Sequence, residues 1–250
     1  LGREEDASAA LKVPGVVKVL LAEDIPGMND TGPIRHDEPL LAKDEVLFHA
    51  QVVALVVGET PEACREGARQ VVVDYEPLPA VLTLAEALKQ QSFHTDPHVI
   101  RRGDVDSALA SSPNRLAGEL TMGGQEHFYL ETHAAFAEVG DEGDVTVTSS
   151  TQHPSEVQAI LSHVLHVPRS RVVVKAPRMG GGFGGKETQG NAPAALVALA
   201  AVHTGRPVKW MLDRDVDMVV TGKRHPFHAA WEVGFDATGR LLALKADLTS

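Results

Sequence analysis

A single cysteine, Cys64, serves the whole 250-residue chain. One thiol forms no internal disulfide, no cysteine-rich zinc site and no self-contained iron–sulfur cluster. It suits a reducing compartment, so a cytoplasmic location is expected. Basic residues are in deficit: 23 Lys and Arg stand against 34 Asp and Glu, a formal charge of −11. That balance argues against nucleic acid or an anionic membrane surface as the main partner. Long apolar runs are missing too. The longest, Ala194 to Val202, falls far short of the ~20 residues that a membrane span needs, and no signal peptide is expected. Aromatics make up only 4% of the chain. What is there is ordinary globular composition, 43% hydrophobic and 23% charged. It excludes wholesale disorder and supports a core that needs no staples.

The hydrophobic pattern predicts an α+β chain with two domains. Val16–Leu21 and Val52–Val57 read as buried strands, and Thr60-Pro61-Glu62 opens a helix that runs to about Gln70. Val71–Tyr75 reads as a third strand. This β-β-α-β run gives a small α/β domain over residues 1–85, followed by a short helix from Thr83 to Gln91 and a polar connector, taken as 86–103. The second domain is expected over 104–250. Its strands are predicted at 116–122, 134–139, 145–149, 171–175 and 208–212, with a hairpin of 227–235 and 240–248 around Asp236-Ala237-Thr238-Gly239. After His153-Pro154, the residues Val157, Ile160, Leu161, Val164 and Leu165 form one apolar stripe of a helix. A second helix is expected from Ala192 to about His203. Leu1 opens in a charged helical pattern, and Ser250 interrupts a strand-like run from Leu241. An internal piece of a longer polypeptide is therefore expected.

The densest signal is Met179-Gly180-Gly181-Gly182-Phe183-Gly184-Gly185-Lys186-Glu187-Thr188. So many glycines lose much entropy on ordering, and they suit a backbone that closely approaches a ligand or takes positive φ; a tight turn without a ligand would use them too. A phosphate loop ending in Gly-Lys-Ser/Thr is excluded because Glu187 stands where the hydroxyl should bind Mg²⁺. Gly180, Gly182 and Gly185 match a dinucleotide fingerprint, with Asp213 ending the next strand. Against this module, the following helix is predicted to begin too far downstream for its dipole to reach a pyrophosphate. The remaining reading is a backbone cradle for an organic cofactor, with Phe183 as an apolar wall and Glu187 accepting ligand N–H groups.

A second cluster, Gly123-Gly124-Gln125-Glu126-His127-Phe128-Tyr129-Leu130-Glu131-Thr132, sets Phe128 and Tyr129 side by side in an aromatic-poor chain. The Gln125 amide donates and accepts at once. His127 and Glu131 are spaced to share a helical face, but no His-Glu-x-x-His motif or serine nucleophile elbow is present. His163/His166 and His225/His228 read as surface or structural pairs.

Together these segments resemble the molybdenum-binding part of the xanthine dehydrogenase/oxidase family. The residues that carry the resemblance are 123–132, Ser149-Ser150-Thr151-Gln152-His153-Pro154, Arg178 to Thr188, Leu212 to Asp215 and Thr221 to Phe227. Upstream, His36 to Leu41 and Tyr75 to Ala80 resemble the family's hammerhead α/β domain. The resemblance implies a hammerhead domain followed by the first part of the molybdopterin-binding α+β domain. It also implies a purine hydroxylase taking hypoxanthine to xanthine to urate, with water as oxygen source. Electrons would leave through 2Fe-2S centres and FAD to NAD, carried by a partner subunit or another segment. The full enzyme would be a homodimer or heterotetramer. Molybdenum is held by the pterin dithiolene, so no direct protein metal ligand is expected.

Residue by residue, the resemblance makes Gln125 the hydrogen-bond partner of a molybdenum oxo ligand. It places Gly182, Phe183 and Gly184 against pterin and metal, and makes Glu187 the carboxylate that holds the purine. The general-base glutamate and a substrate-facing arginine are expected beyond residue 250, so the piece alone should not turn over. An aldehyde oxidase or another azaheterocycle hydroxylase is the nearest alternative. Glu187 separates them, because aldehyde-selective relatives usually lack a carboxylate there.

Overall fold

A computed structural model of the protein describes residues 5–250. In chain order the elements begin with strands β1 (Glu5–Asp6), β2 (Val16–Leu20) and β3 (Leu55–Gly58), helix α1 (Pro61–Arg69) and strand β4 (Val72–Val73). Helices α2 (Leu84–Gln90) and α3 (Val105–Ser111) follow, then strands β5 (Asn114–Met122), β6 (Ala134–Val139) and β7 (Val145–Ser149). Helix α4 (Pro154–Val164), β8 (Val172–Lys175), α5 (Asn191–Thr204), β9 (Val208–Met211), α6 (Arg214–Val220), β10 (Phe227–Phe235) and β11 (Leu241–Thr249) complete the chain. The expected α+β class holds. Among the described residues no helix is long and apolar enough to cross a membrane.

Two compact units emerge. The first joins the residues up to Pro77 with His127–Gly222; the second joins Leu78–Glu126 with Lys223–Ser250. In the first, a four-stranded sheet runs in the order β8-β7-β6-β9. β7 and β8 are parallel, as their crossover through α4 requires, while β6 runs antiparallel to both β7 and β9. Helix α5 is apolar on every side and buried from Ala194 to Ala201, as expected of a helix enclosed by protein. It shares one core with Val157, Ile160, Leu161 and Val164 of α4 and with Leu20, Leu41 and Val57 from the start of the chain. The second unit is a three-stranded antiparallel sheet, β11-β10-β5, whose hairpin bulges at Gly234/Phe235.

Four local readings need correction. The strand expected at 71–75 shrinks to Val72–Val73 because its partner is only Glu5–Asp6. The charged helical opening lies partly on residues 1–4, outside the described residues; Ala10–Lys12 form one 3-10 turn. Helix α3, capped by Asp104 Oδ1 on the Ser107 N–H at 3.1 Å, and helix α6 were both unforeseen. Each has only 7 residues, too few for a periodic stripe to stand out.

Strand directions decide what meets at one end of the larger sheet. β7 and β8 end there, β6 begins there, and β9 ends opposite Ala134. Residues 127–133, Ser150–Gln152, the glycine-rich loop and the entry to α6 therefore share that edge. Main-chain bonds tie them, from Ser150 N to Ala134 O at 2.9 Å and from Leu212 N to His133 O at 2.9 Å. The carboxyl ends of parallel strands are where open α/β sheets place ligands.

Candidate functional site

The loop between β8 and α5 holds Gly181, Phe183 and Gly184 at φ of 97°, 52° and 89°. For Phe183 this region is strained by about 1–3 kcal/mol, yet the residue is 76% exposed. A Cβ on Gly184 would meet nothing within 4 Å, so backbone conformation and not space demands glycine there. Gly185 is needed for closeness: a Cβ would stand 2.7 Å from both the His127 and Tyr129 rings. Among the described residues the N–H groups of Gly181, Gly182 and Phe183 take no protein acceptor.

Lys186, the last residue of the phosphate-loop-like run, turns inward and is fully buried. Its Nζ donates to Glu131 Oε2 at 3.0 Å and Ser150 Oγ at 2.5 Å and lies 4.7 Å above the Tyr129 ring. Glu131 also accepts from the Ser150 hydroxyl at 2.7 Å and the Gly180 N–H at 2.9 Å. Burial pushes the Glu131 carboxyl up, but the Gly180 N–H, Ser150 and Lys186 outweigh it and hold it below its usual value. A lysine committed to this knot cannot reach a nucleotide phosphate, a second argument against that reading. The dinucleotide reading weakens likewise. Helix α5 starts at Asn191 with Gly190 as its N-cap, and Asp213 is the N-cap residue of α6, paired with Arg65 at 3.5 Å.

Residues 127–133 are not helical, since Phe128 sits at φ 52°. His127 and Glu131 therefore share no helical face; one packs on Gly185 and the other holds Lys186. The segment is pinned from below by Asp217 of α6, which sequence reasoning missed. Asp217, Tyr129 and His133 are all fully buried. Asp217 accepts from the Tyr129 hydroxyl at 2.6 Å and the His133 N–H at 2.6 Å, and it lies 3.1 Å from His133 Nδ1. Arg214 Nη2 adds bonds to the Tyr129 and Leu130 carbonyls at 2.6 and 2.8 Å. The available signal was an acid flanked by Val216 on one side and Met218-Val219-Val220 on the other.

Burial pushes the Asp217 carboxyl up, but Tyr129 and His133 outweigh it and hold it low. Its stabilisation is therefore complete above the ordinary value of 3.8 and is lost as pH falls through the lower folded value. Asp217→Asn should destabilise the fold by about 3–5 kcal/mol at pH 7. Urea titrations should show that gap narrowing at pH 3, and a gap equal at both pH values would show that the charge is not what matters.

The remaining site residues are placed as follows. Glu187 is exposed, and among the described residues its carboxylate has no hydrogen-bond or ion-pair partner. Gln125 belongs to the second unit. It extends β5 by a single antiparallel bridge to Arg224, with N–H to carbonyl bonds of 3.1 and 3.0 Å, and its side chain is exposed. No three His, Cys, Asp or Glu side chains cluster as a metal site among the described residues.

Comparison with known proteins shows where this arrangement recurs. Residues 4–79 match the α/β hammerhead domain of aldehyde oxidase and xanthine dehydrogenase, and residues 88–250 match the molybdopterin cofactor-binding domain. The chain is 48% identical over 241 residues to xanthine dehydrogenase/oxidase of Mus musculus, covering 96% of this chain and 18% of the relative. It is 42% identical over 243 residues to xanthine dehydrogenase of Dictyostelium discoideum, with 97% and 18% covered. Among solved structures, the aldehyde oxidoreductase from Desulfovibrio gigas superposes with a TM-score of 0.89 at 27% identity, over 98% of this chain and 29% of that one. Quinoline 2-oxidoreductase from Pseudomonas putida 86 gives 0.85 at 26% identity, over 98% and 33%. The chain thus spans under a fifth of its curated relatives' length, and within that span it belongs to the aldehyde oxidase and xanthine dehydrogenase family.

Proposed function

We propose that the full-length protein is a molybdenum hydroxylase of purines, taking hypoxanthine to xanthine and xanthine to urate. This chain would supply part of the cofactor cradle and one substrate-binding carboxylate. The observation that carries the purine reading is Glu187, an exposed carboxylate without a protein partner, directly after the glycine loop. Such an acceptor suits the N–H groups of a purine ring. The loop fits a molybdenum–pterin group on two counts: it offers N–H groups without protein acceptors at Gly181, Gly182 and Phe183, and open space lies over Gly184. Gly182, Phe183 and Gly184 would hold the group through main chain, and Gln125 would donate its amide to it. When bound, the group supplies two-electron oxidation of carbon with water as oxygen source.

Residues 1–85 then serve as the hammerhead domain, 86–103 as connector and 104–250 as the start of the cofactor-binding domain. The 2Fe-2S centres, FAD and NAD belong to an iron–sulfur/FAD subunit or domain outside this chain. The assembled enzyme is a cytoplasmic homodimer or heterotetramer. Aldehyde oxidation is the second reading, favoured by the likeness to an aldehyde oxidoreductase structure.

Elemental analysis of the purified full-length protein should find molybdenum; its absence would defeat both readings. Gln125→Ala should leave the fold intact, because the bridge to Arg224 is main chain to main chain. A lost charge-assisted bond is worth roughly 1.5–3 kcal/mol, about tenfold to a hundredfold in rate. The molybdenum EPR signal should shift as well. An unchanged signal together with unchanged kcat/KM would remove Gln125 from the site.

A further inference from the structure

Among the described residues the Glu187 carboxylate has no partner, so only its main chain can aim it. That main chain is held from both sides. On one side the buried Lys186 side chain is committed to Glu131 and Ser150. On the other stands Asn191, the first residue of α5, whose N–H closes a turn onto the Thr188 carbonyl at 3.0 Å. Gln189 adds a tie by accepting the Gly222 N–H at 3.1 Å, but that bond is exposed.

Asn191 is 1% exposed, and its side chain reaches two segments distant in sequence. Nδ2 donates to Glu156 Oε1, in the first turn of α4, at 3.0 Å and to the Thr31 carbonyl at 3.3 Å. Both partners are acceptors, so the nitrogen end of the amide must face them. Oδ1 is left buried with no donor among the described residues. A buried acceptor without a partner is costly, so the two donor bonds are what the position is built around. Thr31 is itself fixed. Its N–H and hydroxyl both donate to the Glu38 carbonyl, at 2.8 and 3.2 Å. In the same loop the Asn29 side chain clamps Leu41, donating to its carbonyl at 2.7 Å and accepting its N–H at 3.0 Å.

We infer that Asn191 is a positioning residue for Glu187. Its amide donor bolts the start of α5 to Glu156 and to the hammerhead loop 29–41, and so fixes the turn from which the carboxylate projects. The bracing of the turn stands on geometry alone; its consequence for substrate choice rests on the purine reading of Glu187 above.

The test compares wild type, Asn191→Asp, Glu156→Gln and the double variant in the full-length protein. Asn191→Asp keeps the shape but sets a carboxylate against two acceptors. Glu156→Gln keeps an oxygen for Asn191 to donate to. The double variant restores one bond in reverse, with the new amide at 156 donating to the new carboxylate at 191. Hydrogen exchange is followed over 186–192 with β6 as internal reference, and steady-state kinetics per molybdenum are measured on xanthine and benzaldehyde. In Asn191→Asp, exchange over 186–192 should quicken about tenfold or more. KM for xanthine should rise by about the same factor with kcat changing less, while KM for benzaldehyde holds. Glu156→Gln should track wild type, and the double variant should recover most of both effects. Asn191→Leu loses the donor without adding charge, and it gives the same reading if Asn191→Asp yields no soluble protein. Wild-type exchange in the single variants at 191, no recovery in the double variant, or equal quickening in β6 would each overturn the proposal. An intact exchange contrast with recovery, but with KM for xanthine unchanged or both KM values rising together, would support the bracing and count against Glu187 as the purine-holding carboxylate.

Discussion

Gly182→Val in the full-length protein should yield a soluble enzyme with less than about a tenth of the wild-type molybdenum. The substituted Cβ would stand 2.5 Å from Gln152 Oε1, 2.7 Å from its Cδ and 2.9 Å from its Cγ. All three atoms belong to the side chain that grips the Gly184 and Lys186 N–H groups. The clash is therefore relieved only by releasing the grip. Overpacking of this kind costs about 1–3 kcal/mol, and each hydrogen bond lost adds about 1. The sum, about 3–5 kcal/mol, corresponds to a hundredfold or greater loss in cofactor affinity at about 1.4 kcal/mol per factor of ten.

Gly184→Val should act by another route. Its φ of 89° excludes a β-branched residue, while no atom lies within 4 Å to clash. The two variants thus separate lost space from lost conformation, and both should fail to load. Full molybdenum occupancy in purified Gly182→Val would show that these glycines serve the turn and nothing else.

Much of this scaffold is legible in the sequence. The stripe of Val157, Ile160, Leu161 and Val164 names its own helix and buried face, and the all-apolar Ala194–Ala201 run could only be an enclosed one. The glycine loop announced itself by composition. What stayed hidden was pairing between distant segments. Lys186 read as the end of a phosphate-loop pattern, and only the shared edge of β6, β7 and β8 brings it to Glu131 and Ser150. Asp217 read as one acid among many, because a helix as short as α6 has no periodicity from which to infer a buried side. Gln152 lies in the Ser149–Pro154 segment that carries the resemblance, but nothing local points to its contact with the glycine loop. Its part follows from the parallel register of β7 with β8, which local propensity does not encode.

Substrate choice should turn on Glu187. An acid shortly ahead of a helix can act as its cap, since acids favour helix N-termini. The structure removes that role: Gly190 is the N-cap of α5, and its first turn carries no acid. Exposed, with no protein partner among the described residues, Glu187 contributes little to the fold. Glu187→Val should therefore change stability by no more than about 0.5 kcal/mol. A site built to hydrogen-bond its substrate discriminates strongly when that bond cannot form, by up to about 10⁴–10⁵ in favourable cases. For hypoxanthine and xanthine, kcat/KM of Glu187→Val should fall by orders of magnitude, while oxidation of an aromatic aldehyde holds or rises. Glu187→Gln retains one acceptor oxygen and should lose less on the purines than valine does. Steady-state kinetics on xanthine and on benzaldehyde, for wild type and both variants, decides the matter. Equal losses on the two substrates would mean that Glu187 supports the loop generally. A loss confined to the purines means that this one carboxylate, placed by the loop at the carboxyl ends of β7 and β8, reads the substrate.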